Sequence, residues 1–227
     1  MEFIDYYSAL DFMRQLTDFT AEGDAYFTIV NDTTHSGQKL QAPDYEPAMD
    51  VTDLGPIPYS SVWGNAAMFK RMASWLDYLK ENDCYDNSRI IFVSDHGIGT
   101  DEGKRISDYA NWSLDYNPDH NNPLLFVKDF NASGRLTVNY DFMTNADVPY
   151  LATKDIVPEP QNPFTGKTIS FVPPEAKKAE GVILTHNWRP GGNGLNTFTI
   201  PSADVYDVSK NIFDGVNWMP PPTSGEK

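Results

Sequence analysis

The tetrapeptide Ser94-Asp95-His96-Gly97 carries the strongest chemical signal in the chain. A carboxylate oxygen beside an imidazole nitrogen is a donor pair suited to Zn or Mn. It directly follows the apolar run Arg89-Ile-Ile-Phe-Val-Ser94, so the pair is expected at the carboxyl edge of a sheet, where α/β enzymes place ligands. Gly97 is expected to let the chain turn sharply, so that the two adjacent side chains converge. A second reading stays open at this point: Asp95 caps a turn and His96 packs, because a metal takes four or more ligands and two are seen.

His35 is the second candidate, in Thr33-Thr34-His35-Ser36 just beyond another strand-like run, on what should be the same sheet edge. It could meet a phosphate or sulfate oxygen, or serve as an ordinary loop histidine. His120, in Asn117-Pro-Asp-His-Asn-Asn122, and His186, in Thr185-His-Asn-Trp-Arg189, rank below it in that order. The acidic residues Asp44, Glu46, Asp50 and Asp53 match no calcium loop and read as a solvated face. Gly191-Gly192-Asn193-Gly194 follows Pro190 and precedes a strand-like run, so it reads as a turn rather than a phosphate cradle. No GxxxxGK[ST] loop, GxSxG elbow or paired-cysteine zinc motif is present.

The elements that must position these residues follow from periodicity. Residues 1–20 place Phe3, Ile4, Tyr7, Leu10, Phe12, Met13 and Leu16 at helical intervals. Ala25-Tyr-Phe-Thr-Ile-Val30 is short and rich in aromatic and β-branched residues, which predicts a buried strand. Four prolines within 41–59 predict a long surface connection. Ser60 or Ser61 can cap a helix that Val62, Ala66, Phe69, Ala73 and Leu76 continue to about Asn82. The continuous apolar character of 89–94, and of Pro123-Leu-Leu-Phe-Val-Lys128, suits strands covered on both faces. Strand, helix and strand in that order imply a right-handed crossover and a parallel sheet. Thr144-Asn145 can cap a short helix to about Lys154, and the proline-rich stretch from Val157 to Pro174 should wander over the surface. Residues 181–185 and 196–200 predict two strands of a hairpin-like extension.

The sequence has 227 residues, 40% of them hydrophobic, with 13 Phe, 12 Tyr and 5 Trp, which is enough apolar surface to offset chain-ordering entropy. A globular chain follows, expected as a single domain over 1–227, with a main α/β part at 1–156 and an irregular extension with short strands at 157–227. Seventeen Lys and Arg against 32 Asp and Glu give a formal charge of −15, which argues against nucleic acid and anionic membrane as partners. No run reaches the length of a membrane span, and Met1-Glu-Phe-Ile-Asp5 lacks the basic and apolar segments of a signal peptide. A lone Cys84 makes no internal disulfide and leaves the redox compartment open.

Three stretches together resemble a known family: Phe27-Thr-Ile-Val-Asn-Asp-Thr-Thr-His35, Tyr85-Asp-Asn-Ser-Arg-Ile-Ile-Phe-Val-Ser-Asp-His-Gly97, and Asn122-Pro-Leu-Leu-Phe-Val-Lys-Asp-Phe130. They are similar to the carboxyl half of a sulfatase-type domain, and more narrowly to the lipoteichoic acid synthase and phosphoethanolamine transferase branch of the alkaline phosphatase superfamily. Phe142-Met-Thr-Asn-Ala-Asp-Val-Pro149 and Asn162-Pro-Phe-Thr-Gly166 are similar to stretches of membrane-anchored bacterial members. The resemblance implies an α/β fold with a mostly parallel sheet flanked by helices and a more antiparallel carboxyl-terminal extension. It implies Asp95 and His96 as ligands of a divalent metal, Mn or Zn, with Mg and Ca as further candidates. His35, and less directly His120, become contacts to a phosphate- or sulfate-ester substrate. The family's catalytic hydroxyl or modified cysteine, and its early acidic ligand, have no counterpart here; Cys84 precedes Tyr-Asp-Asn rather than the x-Pro-x-Arg of a sulfatase.

The expectation is therefore the carboxyl-terminal portion of a metal-dependent hydrolase or phosphotransferase. It belongs at the extracytoplasmic face of a bacterial membrane, is completed by an upstream segment of the same protein, and meets the membrane only through a segment absent here. Alone it is expected to be inactive, since covalent transfer needs a positioned nucleophile. Two rivals are a non-catalytic remnant that binds or scaffolds, and a carbohydrate-binding module drawing on Trp63, Trp75, Trp112, Trp188 and Trp218.

Overall fold

The structure is a computed structural model that describes residues 2–35, 39–55, 60–97, 109–114, 117–183 and 205–220. The chain divides into two compact units, Met1–Ser88 with Asp129–Ala132, and Arg89–Lys128 with Ser133–Lys227. The stretch expected as the main α/β part, 1–156, thus contributes to both, and 157–227 falls within the second.

In the first unit, α1 (Glu2–Asp11) and α2 (Met13–Leu16) precede a two-residue ladder of β1 (Leu40–Gln41) and β2 (Glu46–Pro47), and then α3 (Ser60–Glu81). Helical spacing puts Tyr7 of α1 and Ala67 of α3 against Leu40 in a buried cluster, with Phe3, Tyr45 and Trp63 packed around it. Leu40 is fully buried, a contribution of about 1.5–3 kcal/mol. Helix α3 stops where Asp83 takes a left-handed conformation and the Cys84 N–H turns back to the Leu79 carbonyl at 2.9 Å.

One guanidinium ties these elements together. The half-buried Arg71 of α3 donates through Nε and Nη2 to the Tyr7 hydroxyl, meets Asp11 of α1 at 2.9 Å and Glu46 of β2 at 3.3 Å, and lies 5.1 Å from the centre of the Tyr7 ring. Arginine can do this because its planar fork presents several donors at once.

In the second unit, β3 (Ile90–Val93) pairs with β4 (Leu125–Lys128), with Ile90 opposite Lys128 and Val93 opposite Leu125. A separate antiparallel sheet joins β5 (Lys178–Ile183), β6 (Val205–Ser209) and β7 (Trp218–Met219) in that order. Its buried cluster is Phe142, Val208 and Trp218, with Trp112, Leu114, Tyr206 and Ile212 against it. The helix α4 (Val148–Thr153) is entered through a 3₁₀ turn, Asn145–Asp147, and Thr144 and Asp147 close a reciprocal capping box.

The helix expected from residue 60 and the strands at 89–94 and 123–128 are present with ends trimmed by one to two residues. The sheet differs from the expected parallel one where it is described: β3 and β4 run antiparallel, and residues 25–30 belong to none of the described sheets. Tyr26, Phe27 and Val30 are exposed there, with no described strand paired beside them. Half-burial of β3 and β4, in place of cover on both faces, has the same origin in a two-stranded ladder. The strand expected at 196–200 lies outside the described residues; β5 pairs with 205–209. The tryptophans Trp112 and Trp218 meet edge to face at 5.5 Å in the core, which speaks for packing rather than a sugar platform. No helix among the described residues is long and apolar enough to cross a membrane.

Replacing Arg71 by Met should lower stability by about 2 kcal/mol, seen as a lower urea midpoint, with Arg71→Lys recovering only part. Burial holds the Tyr7 hydroxyl above its ordinary pKa, with Arg71 pulling the opposite way. The buried form is the neutral phenol, so its contribution is complete below about pH 10 and fades as pH rises through the raised value; Tyr7→Phe should flatten that alkaline decline.

Candidate functional site

The turn after β3 is held on one side by hydrogen bonds to residues 120–124. Ser94 N–H continues the ladder to the Leu124 carbonyl at 3.0 Å, and the Leu124 N–H returns to Ser94 Oγ at 2.7 Å. Gly97 N–H then donates to the His120 carbonyl at 3.0 Å. This brings the two backbones so close that a Cβ on residue 97 would stand 1.9 Å from the Asp119 carbonyl oxygen and 2.7 Å from that of Asn122. Gly97 does not occupy a left-handed conformation, so the reason for glycine is this close approach and not the sharp turn expected from sequence. The segment that receives it is itself capped: Asn117 Oδ1 accepts from Asp119 N–H at 2.9 Å, and Tyr109 donates its hydroxyl to Asp119 at 2.6 Å.

Within that turn each candidate ligand has one end fixed and the other turned toward its neighbour. Asp95 Oδ1 accepts the His96 N–H at 2.9 Å, while His96 Nδ1 lies 2.6 Å from the Gly97 carbonyl. Only an Nδ1–H can serve a carbonyl, so that bond selects the tautomer whose Nε2 carries a lone pair. Nε2 then stands 3.6 Å from Asp95 Oδ2. A carboxylate oxygen and an imidazole nitrogen are both ordinary donors to Zn or Mn, so these two atoms could hold a divalent ion. The backbone bond on Nδ1 is also the kind of outer contact that orients metal-binding histidines. Asp95 and His96 are 88% and 65% exposed at their side chains, so further donors can be water or another chain. The capping reading of Asp95 is realised too, through its other oxygen.

The remaining candidates divide between the units. His120 belongs to the same loop cluster as Asp95 and His96, holding Gly97 through its carbonyl, with its side chain half-buried. His35 belongs to the first unit and is exposed. Its turn is fixed from behind: Asn31 donates to the Tyr6 carbonyl at 2.8 Å and accepts from Thr33 N–H at 3.0 Å, His35 N–H reaches the Asp32 carbonyl at 3.1 Å, and Thr33 is fully buried. At Gly64 helix α3 passes so near that an added Cβ would lie 3.1 Å from the Thr33 carbonyl oxygen. His186 and the glycine-rich run at 191–194 lie outside the described residues.

Of the acidic group, Asp44 and Glu46 pair with Lys70 and Arg71, as a solvated charged face does. No three His, Cys, Asp or Glu side chains gather among the described residues, so Asp95 and His96 stand as a pair of donors. Sequence reasoning missed Asn145, whose Nδ2 donates to the Ser94 and Asp95 carbonyls at 3.0 Å each; its pairing with Thr144 pointed to a helix cap and to nothing more distant.

Comparison of the chain with protein-family models, with curated proteins and with solved structures gives no match.

Replacing Gly97 by Ala should cost roughly 1–3 kcal/mol, because both obstructing atoms are backbone oxygens that cannot swing away. A lower urea midpoint with faster exchange of the residue 97 amide is the expected result.

Proposed function

We propose that the chain is the carboxyl-terminal portion of a metal-dependent, sulfatase-like hydrolase or phosphotransferase acting on phosphate or sulfate esters. In this reading Asp95 and His96 hold a divalent ion, Mn or Zn in the first place, and His120, of the same loop cluster, contacts the ester. The observation that carries it is the 3.6 Å approach of Asp95 Oδ2 and His96 Nε2, each on a side chain whose other end is tied to backbone. The resemblance of 27–35, 85–97 and 122–130 to the alkaline phosphatase superfamily supports the ester substrate and the extracytoplasmic setting.

A divalent ion at such a site supplies positive charge to polarise an ester oxygen and acidify an attacking hydroxyl. The chain's own part is narrower. Asp95 contributes a carboxylate oxygen, and His96 a neutral nitrogen whose tautomer the Gly97 carbonyl fixes. The attacking group is assigned to an upstream segment of the same protein, since the sequence holds neither a GxSxG elbow nor the x-Pro-x-Arg context of a sulfatase cysteine.

A second reading, a non-catalytic remnant that binds or scaffolds, is favoured by the high exposure of both donors, which a finished metal site reduces. Calorimetric titration with Mn²⁺ and Zn²⁺ addresses the shared step: the native chain should bind weakly, and Asp95→Ala with His96→Ala should bind at least about tenfold more weakly. Equal binding by the double variant refutes the metal assignment. In a chain extended upstream, the same substitutions should abolish hydrolysis of nitrophenyl phosphate or sulfate if the enzyme reading holds, whereas a remnant hydrolyses neither ester before or after substitution.

A further inference from the structure

We propose that Asn145 is a positioning residue that holds the Asp95-His96 turn in its ligand-presenting shape, an inference that rests on the metal reading of that pair. Its carboxamide nitrogen donates to the Ser94 and Asp95 carbonyls, both at 3.0 Å, across some fifty residues of sequence. Both partners are acceptors only, so the nitrogen must face them and the orientation of the amide is compelled. The two acceptors belong to the two successive peptides on either side of the Asp95 Cα. Holding both peptides fixes the backbone frame from which the Asp95 side chain departs.

The turn is held from two sides by different means. Residues 120–124 hold Ser94 and Gly97 through ladder-like bonds, whereas among the described residues the carbonyls between them are held by Asn145. Asn145 has firm footing of its own. Thr144 Oγ accepts from Ala146 N–H at 3.3 Å, and Asp147 accepts the Thr144 N–H at 2.8 Å. Asp147 is in turn paired with Lys177 at 2.8 Å, with side chains only 16% and 9% exposed. A pair so little exposed is screened weakly by solvent, so it anchors the capping turn. The line of restraint therefore runs from Lys177 through Asp147 and Thr144 to Asn145, and from there to the peptide before His96.

Removing the clamp should loosen the geometry of the donors while leaving the fold in place, because the ladder bonds of β3 and β4 and the bond from Gly97 persist. The test compares the native chain with Asn145→Ala, Asn145→Leu and Asn145→Gln. Leucine keeps the shape without donors, and glutamine keeps a carboxamide. Binding of Mn²⁺ alone is read from the electron paramagnetic resonance of the free ion, the site of binding from selective broadening of the His96 ring resonances, and the fold from the urea midpoint. The expected result is Mn²⁺ binding weakened about tenfold in Asn145→Ala and Asn145→Leu, partly recovered in Asn145→Gln, with urea midpoints near the native one.

Unchanged Mn²⁺ binding in Asn145→Ala and Asn145→Leu, in a chain whose binding is lost with Asp95→Ala and His96→Ala, overturns the positioning role while leaving the metal reading intact. Mn²⁺ binding that survives Asp95→Ala and His96→Ala overturns both. Weakened binding matched by a collapse of the urea midpoint in all three variants assigns Asn145 a purely structural part and also overturns the proposal.

Discussion

The close approach of the Ser94-Gly97 backbone to residues 118–124 is the constraint on which the candidate site depends. It exists because Gly97 lacks a side chain, and because Leu124 and His120 offer a carbonyl each at the spacing of a continuing ladder. The strand pair ends there without releasing the chain, so Asp95 and His96 project from a turn whose two ends are tied to the facing segment. Two small bonds, from His96 N–H to Asp95 and from His96 Nδ1 to the Gly97 carbonyl, then convert adjacency in sequence into a shared direction. Neither is worth more than about 1.5 kcal/mol alone. Their effect lies in selecting one rotamer and one tautomer.

Local elements were the legible part of this fold. The helix Ser60–Glu81 announced itself through spacing, and β3 and β4 through uninterrupted apolar runs; Thr144 announced its cap by side-chain type. Pairing was less legible, because an apolar run states that a strand wants neighbours and does not name them. Thus Ile90–Val93 was expected beside a parallel partner and is described beside an antiparallel one, and Ala25–Val30 is described outside any sheet. At the site, residue types revealed Asp95 and His96, since both do chemistry. Asn145 was invisible for the opposite reason: an asparagine after a capping threonine is explained locally, and only coordinates show its side chain reaching back to Ser94 and Asp95.

The two units solve the problem of buried charge in different ways. In the first, Arg71 spreads one positive charge over a phenol and two carboxylates that themselves stay in contact with water, which avoids the cost of desolvating a full pair. In the second, Lys177 and Asp147 are both withdrawn from solvent and rely on each other and on the capping box. Both arrangements sit behind a candidate residue rather than in it: Arg71 joins α1, which Asn31 also grips through the Tyr6 carbonyl, and Asp147 supports the turn that carries Asn145.

The stretch from Ala25 to Val30, with Tyr26, Phe27 and Val30 facing water, has a colloidal consequence. Exposed apolar side chains favour association between chains, and what opposes it in neutral solution is the mutual repulsion of chains bearing fifteen excess negative charges. Acidification toward the isoelectric point near 4.5 removes that repulsion while leaving the sticky segment unchanged. Association of chains near that pH then requires no unfolding, only the loss of charge.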